Sequence, residues 1–89
     1  MIGISAQISL YPLGQEDLGP AIEALVGVLD VHGLEYEVGS MSTVVWGDDE
    51  AVFAALREGF AAAATFGQAV MSATVSNACP LPPGRGGAR

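Results

Sequence analysis

Short hydroxyls and amides recur at every second residue in three stretches of this chain. Ser5, Gln7, Ser9 and Tyr11 alternate with Ile4, Ala6, Ile8 and Leu10. Ser42, Val44 and Trp46 alternate with Thr43 and Val45, and Ser72, Thr74 and Ser76 with Met71, Ala73 and Val75. A period of two places each set on one face of a strand. Hydroxyls and amides adapt as donors or acceptors. Buried between two sheets they need partners, and a small heterocycle trapped there supplies them. A solvated sheet face is the plainer alternative. Two features argue against it: the side chains are short where a wet face carries long charged ones, and exposed Trp46 and Tyr11 are costly unless they pack on something.

The isolated reactive residues promise less. His32 precedes Gly33 at the end of a helical pattern, where a histidine complements the helix dipole more readily than it catalyses. Cys79 has no second cysteine and no basic neighbour to activate it. Glu35 and Glu37 could form an acid pair, but two apart on an edge strand they serve solubility. Asp48, Asp49 and Glu50 read as helix capping, not as a metal cluster. One Cys and one His cannot build a four-ligand zinc site. No glycine spacing matches a phosphate loop or a dinucleotide fingerprint, and no nucleophile–base pair can be proposed. The expectation is a chain with no catalytic residues, no metal and no cofactor.

The elements that must position these residues follow from periodicity. Residues 2 to 11 form a first strand, ended by Pro12 and Gly14. Glu16, Asp17 and Pro20 open a helix whose Ile22, Leu25, Val26 and Leu29 keep i, i+3, i+4, i+7 spacing, and Gly33 stops it. Leu34, Tyr36 and Val38 mark a second strand, Gly39-Ser40 a tight turn, and Met41 to Trp46 a third strand. Asp48 caps a second helix with a predicted apolar stripe of Val52, Phe53, Leu56 and Phe60, and Gly67 ends it. A last strand covers about Gln68 to Asn77. Right-handed crossovers turn this β-α-β-β-α-β order into a four-stranded antiparallel sheet, order 4-1-3-2, with both helices on one face: an α+β, ferredoxin-like fold. The hydroxyl-bearing face is then the one the helices leave bare.

Composition narrows the partners. The 89 residues carry ten acids and three arginines, Arg57, Arg85 and Arg89, for a formal net charge of -7. A nucleic-acid binder needs basic groups to release counterions, so nucleic acid, anionic membrane and phosphate-rich substrates are disfavoured. A cationic or neutral small ligand is compatible. One domain of this size has a marginal core, a disulfide within the chain is impossible, and oligomerisation through the open face is the remedy left. The start lacks the basic and apolar regions of a signal peptide, and no apolar run approaches a membrane span. The expected location is cytoplasmic, with Cys79 a reduced thiol.

Three segments carry a family resemblance. Ser5-Ala6-Gln7-Ile8-Ser9-Leu10-Tyr11-Pro12-Leu13-Gly14 resembles the opening of the YkoF-like thiamine/hydroxymethylpyrimidine-binding proteins. Met41-Ser42-Thr43-Val44-Val45-Trp46-Gly47 is similar to that family's next recurring segment, and Thr74-Val75-Ser76-Asn77 to its last strand. The resemblance spans about residues 2 to 79. It implies a ferredoxin-like domain over 1–79; from Pro80 the sequence itself loses periodicity and reads as a flexible Pro/Gly-rich tail over 80–89. It also implies binding of thiamine or its hydroxymethylpyrimidine precursor without transformation, in thiamine uptake or salvage, with a thiamine-precursor transport system as a partner. The family's namesake carries two repeats. This chain has one, so a homodimer or homotetramer takes the tandem's place, with the ligand at the oligomer interface. Gln7, Ser9, Ser42, Thr43, Ser76 and Asn77 would then hydrogen-bond an aminopyrimidine, Tyr11 or Trp46 would stack on it, and Glu37 would face a thiazolium cation. The turn Gly39-Ser40-Met41 offers backbone groups. The rival readings are an oligomerisation or regulatory module without ligand, and a small dimeric α+β-barrel enzyme.

Overall fold

The computed structural model describes residues 2–14, 16–40 and 42–78. The element order is β1 (Gly3–Pro12), α1 (Gly19–Val31), β2 (Glu35–Val38), β3 (Thr43–Asp48), α2 (Asp49–Ala64) and β4 (Ala69–Ser76). The four strands form one antiparallel sheet in the order β2-β3-β1-β4. This is the βαββαβ arrangement that the periodicities predict. The tail expected over 80–89, Cys79 and Met41 lie outside the described residues.

Strand alternation sorts the chain cleanly. Ile4, Ala6 and Ile8 on β1 pair with Gly47, Val45 and Thr43 on β3. Paired residues share a face, and Ile4, Ala6, Ile8, Thr43 and Val45 are all buried beneath the helices. With Leu25 and Leu29 of α1 and Val52, Ala55 and Leu56 of α2 they make the core. Ser5, Gln7, Ser9 and Tyr11 fall on the other face with Ser42, Val44 and Trp46.

The helix ends have local causes. Pro20 sits in the first turn of α1, where its missing N–H costs nothing. Glu16 and Asp17 precede that helix instead of forming its first turn, and the Asp17 carboxylate accepts the Gly19 N–H at 2.9 Å. Gly33, at φ 67°, takes the left-handed conformation that ends α1. At α2 the Asp48 carboxylate accepts the Ala51 N–H at 3.0 Å, a true N-cap. Asp49 follows in the first turn and accepts the Ile2 N–H at 3.1 Å, while its own N–H donates to the Ile2 carbonyl at 2.8 Å. The Ile2 N–H favours the charged form and holds the Asp49 pKa below its usual value. Asp48→Ala is expected to cost about 1 kcal/mol, seen as a fall of about 4–8 °C in Tm.

The apolar stripe of α2 differs from the predicted one. Val52 and Leu56 are buried as expected, but Phe53 is 53% exposed and Phe60 37%. Ala55, Gly59 and Ala63 take their places against the rest of the fold. The reason is the distance between helices. A Cβ on Gly59 would collide with Leu25 Cδ1 of α1, so only the smallest residue fits where α1 and α2 touch. The bulky phenylalanines are left on the flank turned away from that contact.

Candidate functional site

Two places hold the residues that could bind a ligand. The first is a cavity of about 230 Å³ at one end of the sheet, open to solvent. The start of α1, the end of β1 and the β2–β3 turn build it. Its walls are apolar, with Ile8, Leu10, Leu18, Ile22, Leu25 and Val38. Its polar groups are Tyr11, Ser40, Ser42 and Thr43. Apolar walls with a few polar groups are the usual make-up of a small-molecule site. The volume lies below the ~300–1,000 Å³ of pockets for drug-sized ligands, so the cavity suits one substituted ring.

The β2–β3 turn is closed by the Gly39 N–H, which donates to the Ser42 carbonyl at 2.7 Å. That bond fixes Ser42 at the start of β3. The Ser42 hydroxyl accepts from Gln7 Nε2 at 3.3 Å, which ties the cavity rim to the open face. Thr43 points to the helix side and is 6% exposed. Its hydroxyl makes no hydrogen bond among the described residues, yet no buried polar side-chain atom there is sealed off unsatisfied. The cavity it lines is the opening through which that hydroxyl is reached.

The second place is the far end of the open face. Ser5 pairs with Trp46 on one side and with Ser76 on the other, and Trp46 pairs with Glu35 beyond. Trp46 is only 7% exposed, although its register puts it on the face the helices leave bare. The Ser76 hydroxyl accepts the Ala78 N–H at 2.9 Å, within the turn that carries the exposed Asn77.

The structure therefore divides the residues proposed from sequence. Tyr11, Ser42 and Thr43 meet at the cavity, with Gln7 joined through Ser42. Trp46, Ser76 and Asn77 gather at the other end. From Ser5 to Tyr11 is six residues of strand, roughly 20 Å at ~3.3 Å per residue, so one small ligand in one chain cannot touch both groups. Ser9 lies between Gln7 and Tyr11 on the open face, on the cavity side, opposite Ser72. Glu37 sits on the outer strand opposite Val44 and is exposed. The aliphatic walls were not among the candidates, because Ile22 and Leu25 follow the helical spacing of ordinary core residues. The turn Gly39-Ser40, with Tyr11, Ser42 and Thr43, is the part of this lining that the sequence points to.

His32 stands apart. Its Nε2 lies 2.8 Å from Glu58 Oε1, an ion pair between the helices when the ring is protonated. Ten residues of α1 separate it from Ile22, about 15 Å at 1.5 Å per residue. Tyr36, from β2, donates to Asp30 Oδ1 at 2.8 Å, and that bond raises its pKa. Among the described residues no group of His, Cys, Asp and Glu could hold a metal ion. No described helix is long and apolar enough to cross a membrane.

A family model, that of the YKOF-related family, matches residues 3–82. No curated protein sequence matches the chain. Among solved structures, a hypothetical Methanocaldococcus protein superposes with a TM-score of 0.80 at 21% identity, over 92% of this chain and 87% of that one. A domain of unknown function from Bacillus cereus gives 0.75 at 15% identity, over 92% and 84%. A candidate thiamine biosynthesis/salvage protein from Thermotoga maritima gives 0.71 at 24% identity, over 82% and 81%. At these identities the likeness establishes the fold.

Proposed function

The chain belongs to the YKOF-related family, and on that premise we propose that it binds thiamine or its hydroxymethylpyrimidine precursor without transforming it, in uptake or salvage of the vitamin. The observation that carries this reading is the 230 Å³ cavity, with apolar walls and the Thr43, Ser42 and Tyr11 hydroxyls along it. An aminopyrimidine presents flat apolar faces and a rim of donors and acceptors, which is the complement of that lining. The name of the Thermotoga maritima neighbour points to the same chemistry. Gln7, held by Ser42, stands at the rim with both a donor and an acceptor. The site is read as non-catalytic: its reactive atoms are hydroxyls with no base among the cavity's lining residues, and the one histidine is far away beside Glu58.

The larger thiamine places its pyrimidine in the cavity and its thiazolium cation at the mouth. Asp17 and Glu37 each precede a residue of the cavity wall, Leu18 and Val38, and the whole chain is acidic. A bare face beside the mouth lets a second copy cover the ligand. In this reading the protein hands its ligand to, or receives it from, a transport system in the cytoplasm.

Isothermal titration with each compound tests the proposal. Both are expected to release heat and raise Tm, and neither effect at millimolar ligand overturns it. Salt separates their contributions. Thiamine affinity is expected to fall as ionic strength rises, because screening weakens the attraction of a chain of net charge -7 for a cation. The neutral pyrimidine is expected to bind with the same affinity throughout.

A further inference from the structure

Trp46 is the one tryptophan of the chain, and it stands on the side of the sheet that the helices cannot bury. Its strand partners Ser5 and Glu35 lie beside it on the open face and not above it. On an uncovered face an indole leaves one side of its ring to solvent, yet Trp46 is 7% exposed. Tyr11, at the other end of the same face, is 51% exposed, as an uncovered ring is. Burial of the larger aromatic calls for a cover at its end of the face.

The chain itself turns toward that place. Ser76 shares a row across the sheet with Ser5, Trp46 and Glu35, so its hydroxyl lies on the open face. That hydroxyl accepts the Ala78 N–H at 2.9 Å, and the backbone bends at Asn77 and Ala78. The bend takes the chain out of the line of β4 and toward the open face. Trp46 is two strand spacings from Ser76, roughly 10 Å at ~4.8 Å each. Beyond Ala78 the sequence runs Cys79-Pro80-Leu81-Pro82-Pro83. At ~3.1 Å per residue of proline-rich chain, Pro80 to Pro83 lie roughly 12–22 Å of chain past Ser76, which spans the distance to the indole. Prolines lack the N–H that an added edge strand needs, but a proline-rich segment docks well on an aromatic ring.

Charge selects the same occupant. All ten acidic residues and Arg57 precede residue 79, and the other two arginines, Arg85 and Arg89, follow it. β2 holds Glu35 and Glu37 on the open face, in the strand beyond Trp46. Glu35 is three strand spacings from Ser76, roughly 14 Å, and nine residues of chain separate Ser76 from Arg85. We propose that residues 79–89 fold back across this end of the open face, with the Pro80–Pro83 run on Trp46 and Arg85 against the carboxylates of β2. This strap covers Trp46 and Ser76. It leaves free the cavity, roughly 20 Å along the sheet, so the Trp46 end is shut to small molecules while the cavity stays open to them. It stands whether or not the ligand reading does.

The single tryptophan makes the test direct. In the full chain, acrylamide is expected to quench Trp46 fluorescence weakly. Leu81→Asp is expected to raise that quenching severalfold with unchanged far-ultraviolet dichroism, and unchanged quenching in the folded variant overturns the proposal. Trypsin gives a second readout by cutting after Arg85. Cleavage there is expected to quicken about tenfold or more in Leu81→Asp, as the segment spends more time free. In Glu37→Gln it is expected to quicken about twofold to fivefold, the worth of one exposed ion pair. Equal rates in all three proteins overturn the proposal. Quenching that rises on dilution of the wild type, with Arg85 cut as fast as in a free peptide, assigns the cover to another chain and overturns it too. Should Leu81→Asp fail to fold, nitrogen-15 relaxation of the wild type decides. Gly84 and Gly86 amides as rigid as those of the strands support the strap, and fast local motion there overturns it.

Discussion

Gly59→Val is expected to destabilise the fold by about 2–3 kcal/mol, among the larger costs of overpacking. Gly59 is buried in α2, and the collision its first added carbon would make is with Cδ1 of Leu25, a core residue 2% exposed that can yield only toward the cavity it lines. Helix propensity alone favours the change, since valine is a better helix former than glycine. A loss of stability therefore isolates the packing term. In an 89-residue domain each kcal/mol is worth about 4–8 °C, so Tm is expected to fall by about 8–24 °C. Leu25→Ala alone leaves a hole and costs about 2–5 kcal/mol. Combined, the two changes relieve each other, and the double variant is expected to be more stable than the sum of the singles by about 0.5–3 kcal/mol. Urea unfolding of the four proteins measures that coupling. Simple additivity would mean that Gly59 is not the point where α1 and α2 are held together.

That contact also explains where the sequence could be read and where it could not. Strand alternation needs only the neighbours along the chain, so the order of elements, the sheet order and the residues of the open face all follow from it. On α2 the apolar arc is wider than the strip that meets the sheet, because Val52, Phe53, Ala55, Leu56, Gly59, Phe60 and Ala63 spread over about 160° of the turn at ~100° per residue. Which side of that arc faces inward depends on how near α1 comes, and this is a tertiary fact. Large residues suggest a core by hydrophobicity. Close approach selects small ones instead, and Phe53 and Phe60 are displaced to the β4 side.

The cavity was hidden for a related reason. Its walls come from residues 8–25 and 38–43, three elements whose apolar positions look like any other core positions. A void arises because the β2–β3 turn, pinned by the Gly39–Ser42 bond, stands off from the first turns of α1. Side-chain types alone carry no sign of such a gap. The hydroxyls were visible, and their division into two clusters was not, since only the strand rise turns Ser5 and Tyr11 into opposite ends.

Filling that gap is the sharpest test of the ligand site. Ile22→Trp is expected to abolish binding of thiamine and of the pyrimidine, lowering affinity by about 100-fold or more, or about 2.7 kcal/mol. Ile22 is half-buried on the cavity side of α1, so the larger ring has room only by occupying the place of the ligand's own ring. The Tm without ligand is expected to stay within a few degrees, because the indole fills space that is otherwise empty. Thr43→Val removes one hydroxyl at constant shape. A loss of about 0.5–1.5 kcal/mol of binding is expected from it, the worth of a single hydrogen bond. Ser76→Ala, roughly 20 Å along the sheet from the cavity, is expected to leave binding unchanged. The opposite pattern, with Ser76→Ala impaired and Ile22→Trp normal, would move the ligand to the Trp46 end of the open face. There a chain-to-chain interface would have to supply the pocket that one chain alone supplies at Thr43.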